Sequence, residues 1–156
     1  MKKVFGLLIL IIAVHAYAQK TYPIASVGIS LSAKPAVLLP DSTVLSEEDG
    51  KLINLRWAPV TPRPKEPVLY RVKAWQIMQG QMDADAIRMN RMMVLKDVID
   101  KTQLTVEGLV KIPCPNGCRF VWNVQALSRK GQPIGANKGM SPNGRFVIGE
   151  KQERRN

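Results

Sequence analysis

VLYRVKAWQI, residues 68–77, is the stretch that decides the fold. Tyr70, Val72 and Ala74 occupy alternate positions, with Arg71, Lys73 and Trp75 between them. A half-buried β-strand needs that period of two, because successive side chains leave opposite faces of the sheet. Tyr70, Val72 and Ala74 are expected to face a core, and Arg71, Lys73 and Trp75 to share the outer face. The same period recurs on either side of this stretch. Ile53, Leu55 and Trp57 alternate with Asn54 and Arg56, and Phe120, Trp122, Val124 and Ala126 form a further run. Leu104, Val106 and Gly108 make a shorter one. Val27, Ile29 and Leu31, separated by Gly28 and Ser30, read as an edge strand.

What lies between these runs is mostly turn. Ala36 to Leu39 is a short apolar run stopped by Pro40, and Ser46 to Gly50 is an acidic turn ending in glycine. APVTPRPKEP (58–67) carries four prolines, which exclude helix and central strand and make it a stiff extended connection. Its P-x-x-P spacings also fit recognition by a proline-reading domain. In the methionine-rich stretch after Met78, Asp83 is placed to cap a short helix over about residues 84–90. Arg129 to Gln132 is a turn. A last strand or pair of strands falls around Pro133 to Gly139 and Arg145 to Ile148. Seven or eight short strands with regular turn signals predict an all-β antiparallel sandwich.

Three of these stretches, in this order, resemble the fibronectin type III branch of the immunoglobulin-like fold. NLRWAPV (54–60) resembles its second strand, with Trp57 as the core tryptophan. VLYRVKAW (68–75) resembles its third strand. FVWNVQALSRKGQPIG (120–135) resembles its sixth strand and following turn, with Phe120, Val124, Ala126 and Gly131 on the family pattern. Phe120 stands where the family has a tyrosine, so the tyrosine-corner hydrogen bond is absent. RWAPVTPRPKEPVLYRVKAW, FVWNVQAL and GQPIGANKGMS are more narrowly similar to fibronectin-like modules of Bacteroidota surface proteins. The resemblance implies a sandwich of about seven strands over residues 34–149, with a short helix in the methionine-rich insertion. Trp57, Tyr70, Phe120, Trp122 and Val124 would lie in its core. It implies a binding or spacer module and supplies no catalytic residue and no cofactor.

The ends add a compartment. Lys2 and Lys3, the apolar run Val4 to Val14 and the small-x-small site Ala16-Tyr17-Ala18 read as a signal peptide over residues 1–18, too short for a bilayer span. Residues 19–33 would be an N-terminal extension or edge strand, and 150–156 a disordered tail. Cleavage removes His15, the sole histidine, and with it imidazole-activated nucleophiles and histidine-ligated metals. No transmembrane segment would remain. Losing Lys2 and Lys3 lowers the formal charge from +11 to +9. Nine of the basic residues stand from Lys111 onward, against Glu150 and Glu153. Such a field favours polyanions, including acidic glycans. The basic residues are scattered singly, without a nucleic-acid motif.

The candidate sites follow from this compartment. Cys114 and Cys118, in CPNGC, are the only cysteines. Two thiols without histidine are too few for a zinc site, and C-x-x-x-C around a turn is not the redox C-x-x-C. In an oxidising compartment they are expected to form a disulfide that clips the loop before the sixth strand. Met78, Met82, Met89, Met92 and Met93 crowd into sixteen residues. They fit packing of a short helix, an adaptable partner groove or Cu(I) ligation. Trp75 fits either an exposed anchor for a protein or sugar ring, or a residue covered by the methionine segment. Asp83 with Asp85, and Glu47, Glu48 and Asp49, lack the spacing of a calcium loop. Arg71, Lys73, Trp75, Met89, Met92 and Met93 are therefore the expected binding surface. The expected role is a secreted, non-enzymatic module contacting another envelope or surface protein; the alternative is a carbohydrate- or polyanion-binding accessory domain.

Overall fold

A computed structural model describes residues 23–24, 26–31, 42–111 and 114–149. The expected signal peptide, the run Ala36 to Leu39 and the tail 150–156 lie outside the described residues. Two sheets form the molecule. The first has three strands in the order β1 (Val27–Leu31), β3 (Leu52–Trp57) and β6 (Gln103–Glu107). The second has five, in the order β2 (Thr43–Leu45), β8 (Gly144–Ile148), β7 (Cys118–Leu127), β4 (Leu69–Ile77) and β5 (Met92–Ile99). One helix, α1 (Asp83–Met89), connects β4 to β5. All strand pairs are antiparallel except β2 with β8, which is parallel.

The inner faces follow the alternation in the sequence. Ile53, Leu55 and Trp57 of β3 and Val106 of β6 meet Tyr70 and Val72 of β4, Phe120, Trp122 and Val124 of β7, and Phe146 of β8; all are buried. Trp57 and Tyr70 touch across the sandwich with ring centroids 5.6 Å apart, and Phe120 stacks on Phe146 at 5.1 Å. Such aromatic contacts add to the burial of apolar area that drives the fold. The Tyr70 hydroxyl accepts the Val60 N–H at 3.1 Å, so the proline-rich connection is held down onto the core edge.

With the three-residue β2 set aside, β3, β4 and β7 are the second, third and sixth strands of the chain. They are the stretches whose motifs resemble those strands of a fibronectin type III module. The molecule is an all-β sandwich of this kind, with β1 paired to β3 as an edge strand.

Several expectations need correction. β5 and β2 are strands that periodicity did not mark. β6 ends at Glu107, and Gly108 turns away with a positive φ of 57°. Residues 133–140 contribute isolated bridges at Pro133 and Met140 and a short 3-10 turn, so β8 alone is the last strand. Asp83 does not cap α1: the N-cap is Met82, and Asp83, inside the first turn, pairs with Arg145 of β8 at 2.7 Å.

Candidate functional site

The outer face of the five-stranded sheet is built by register. Arg71, Lys73 and Trp75 of β4 stand beside Asp97, Leu95 and Met92 of β5 on one side, and beside Gln125, Asn123 and Val121 of β7 on the other. Alternation therefore points all three β4 residues outward, as the strand period requires. The row at Trp75 is then covered. α1 starts near β8, where Asp83 meets Arg145, and ends three residues before β5 begins, so it crosses the sheet over β7 and β4. Ala86 and Ile87 pack on Trp75, Ile77 and Val121, a second apolar cluster on the side of the sheet away from the main core.

Trp75 is 5% exposed. It is not part of an exposed surface: Ala86 and Ile87 of the methionine-rich segment pack on it, so the covered alternative holds. Met93 is also removed from the surface. The β4–β5 register shifts between Ala74 and Trp75, which leaves Met93 as the extra residue of a bulge, half-buried against the main core. Met89 and Met92 remain exposed.

The insertion that carries α1 is fastened by a pair of amides, Gln81 and Asn90, that no pattern of residue types marks. Gln81 and Asn90 exchange side-chain hydrogen bonds in both directions, at 3.1 and 2.6 Å, and so join the two ends of the helix. Asn90 also donates to the Gln76 carbonyl at 2.7 Å, and Arg119 donates to the Met78 carbonyl at 3.1 Å.

Below the helix the face is open and polar at its centre. Arg71 forks onto Asp97 with contacts of 2.9 and 2.8 Å. That guanidinium, by hydrogen bond first and charge second, holds the Asp97 carboxyl below its ordinary value. Lys73 donates to Gln125 Oε1 at 3.1 Å. Burial, with a smaller contribution from the Arg71 charge, pushes its ammonium below the usual lysine value. Asn123 is buried and donates to Asn143 at 3.2 Å, while its own carbonyl has no partner among the described residues.

Apolar side chains stand in water along α1, its flanks and β5. Among the described residues, the exposed large hydrophobics are Met78, Met82, Met89, Met92, Leu95, Ile99 and, elsewhere, Val44. Six of these seven thus fall between Met78 and Ile99. Leu95 and Ile99 are each more than half exposed, at 53% and 54%. Both belong to β5, the strand periodicity missed, and so escaped the sequence reading.

Cys114 and Cys118 form a disulfide, with Cα atoms 5.2 Å apart, within the usual range. It clips the loop leading into β7, and Gln76 donates to Cys114 Sγ at 3.1 Å. Among the described residues no three His, Cys, Asp or Glu side chains gather as a metal site, and no helix is long and apolar enough to cross a membrane.

No family model matches the sequence. No curated protein matches it either. Among solved structures, the third fibronectin III domain of the human KIAA0343 protein, determined in solution, aligns with 80% of this chain and 98% of its own. The TM-score is 0.41 and the sequence identity 17%. The strand order, and not this loose overlap, identifies the sandwich.

Proposed function

We propose that the chain is a secreted, non-enzymatic binding module of a bacterial envelope or cell surface, of the kind found in Bacteroidota surface proteins, acting through protein contacts. Residues 1–18 are its cleaved leader, and the folded module takes in β1 as well as residues 34–149. One observation carries the contact surface: six of the seven exposed large hydrophobics among the described residues crowd onto α1, its flanks and β5. Of these, Leu95 stands in register with Lys73, and Ile99 with Leu69, two residues before Arg71. Apolar patches of this sort, rimmed by polar groups, mark interaction sites on soluble domains. The Cys114–Cys118 disulfide supports an oxidising compartment. No catalytic residue and no cofactor is assigned.

The charge of +9 that remains without Lys2 and Lys3 supports a second reading, in which the domain holds an acidic glycan or other polyanion. Salt separates the two, because contacts made by exposed charges weaken as ionic strength rises. The test is the double substitution Leu95→Arg with Ile99→Arg. Both positions are exposed, so the melting temperature should stay within the small range typical of surface changes. Retention of the protein on the envelope of the cells that make it, measured at high salt where exposed charges are screened, should be lost. Retention that is unaffected by the substitutions and disappears in salt would favour the polyanion reading.

A further inference from the structure

β5 is an edge. It pairs with β4 on one side, and among the described residues no other backbone group bonds to Met92–Ile99. β6 is likewise an edge of the opposite sheet. Between the two edges runs a groove of about 620 Å³. Val94, Leu104, Val106 and Leu109 supply its apolar lining, and Lys96, Lys111 and Glu107 its charges.

An unpaired edge with an apolar groove beside it is a template for one more strand. The position of Lys96 says which strand. Lys96 is in register with Val72, whose side chain is in the core, so it stands on the inward side of β5 although it is exposed. A charge at an inward register of an edge strand works against pairing with a like edge. A second copy of β5, paired antiparallel about Lys96, would bring its own Lys96 against this one, between chains that each carry +9 once Lys2 and Lys3 leave with the leader. An acidic strand meets the opposite situation. A glutamate or aspartate pointing into the groove finds Lys96 and Lys111, and the apolar residues that share its face cover Val94 and Val106. The strand's other face lies alongside Leu95 and Ile99.

We propose that the partner of this domain presents an extended acidic segment that adds as a strand to the free edge of β5, with its inward side chains in the groove between β5 and β6. This rests on the protein-contact reading above and deepens it by naming the chemistry of the partner.

Three labelled synthetic peptides of equal length test it against the full protein. The first alternates glutamate with valine and threonine, the second has lysine at each glutamate position, and the third keeps the glutamates but carries prolines that forbid strand pairing. Fluorescence anisotropy gives affinities, and amide hydrogen exchange locates protection. The first peptide should bind at least about tenfold more tightly than either of the others, since like charges across an interface cost more than that factor. It should slow exchange in Met92–Ile99. Lys96→Glu, at an exposed position, should reverse the preference between glutamate and lysine peptides, and Lys111→Glu should weaken it.

Equal binding of the proline peptide would overturn strand addition in favour of plain polyanion attraction. Protection confined to other strands, or no binding by any peptide, would overturn it as well. Concentration-dependent protection of β5 without peptide would give the edge to a second copy. If the peptides fail while Leu95→Arg with Ile99→Arg still releases the protein from the envelope, the strand proposal falls and the protein-contact reading stands.

Discussion

Trp57 shows what one residue carries in this core. It is the last residue of β3, 4% exposed, and packs on Tyr70 of the facing sheet. Truncating a large buried aromatic removes its transfer free energy and leaves a cavity. Trp57→Ala should therefore cost about 3–5 kcal/mol, a large share of a small domain's stability. Denaturant unfolding checks it, and an unchanged midpoint would mean that Trp57 is not in the core. Lys73 is the contrasting case, a cation that the fold tolerates at a cost. Its ammonium is held below the ordinary lysine value by burial, so in the folded state the charged form is the disfavoured one. That cost is fully present below the folded pKa and disappears as pH rises through it toward the unfolded value. Lys73→Met should accordingly raise the melting temperature at neutral pH, with a smaller gain in alkali, and weaken partner binding. A lower melting temperature would show that the bond to Gln125 outweighs the burial.

At the scale of elements, the helix is a separable cap. Ala86 is fully buried on Trp75 and Val121, in a cluster distinct from the main core between the sheets. Ala86→Asp puts a charge into that small contact and should lift α1 without unfolding the sandwich. Iodide should then quench an additional tryptophan while the far-ultraviolet spectrum keeps its β character; global unfolding would show that α1 is integral to the core. The same element explains where the sequence was readable. β3, β4 and β7 bury one face completely, so their period of two is written in residue type. β5 buries only Val94, carries a bulge at Met93 and turns Lys96 inward, and its alternation is erased. β2 is three residues long and held by a parallel partner more than a hundred positions away, which local pattern does not register. The outward direction of Trp75 was legible in the alternation. Its burial was not, because the cover comes from a helix whose crossing is set by Asp83 on Arg145 and by the Gln81–Asn90 clamp.

At the scale of the molecule, a sandwich with its aromatic core between the sheets leaves its outer faces and edges for contact, and the exposed large hydrophobics favour β5 among them. The disulfide clips the loop at the entry to β7, where Gln76 donates to Cys114 Sγ. Closing a five-residue loop stabilises by about 2 kcal/mol on the chain-entropy account. Replacing Cys114 and Cys118 by serine should thus lower stability by roughly that amount without changing partner affinity; loss of binding with the fold intact would give the clip a role at the contact. On the proposed function, β5 and its neighbours face a protein partner. The most direct measurement is site-specific photo-crosslinking in the cells that produce the protein. A photoreactive residue at Leu95 should yield a discrete adduct with another protein, persisting at high salt. The same residue at Val44, exposed on β2 at the opposite edge of the sheet, should yield none. Adducts at Val44 and none at Leu95 would move the contact to the opposite edge and overturn the proposed surface.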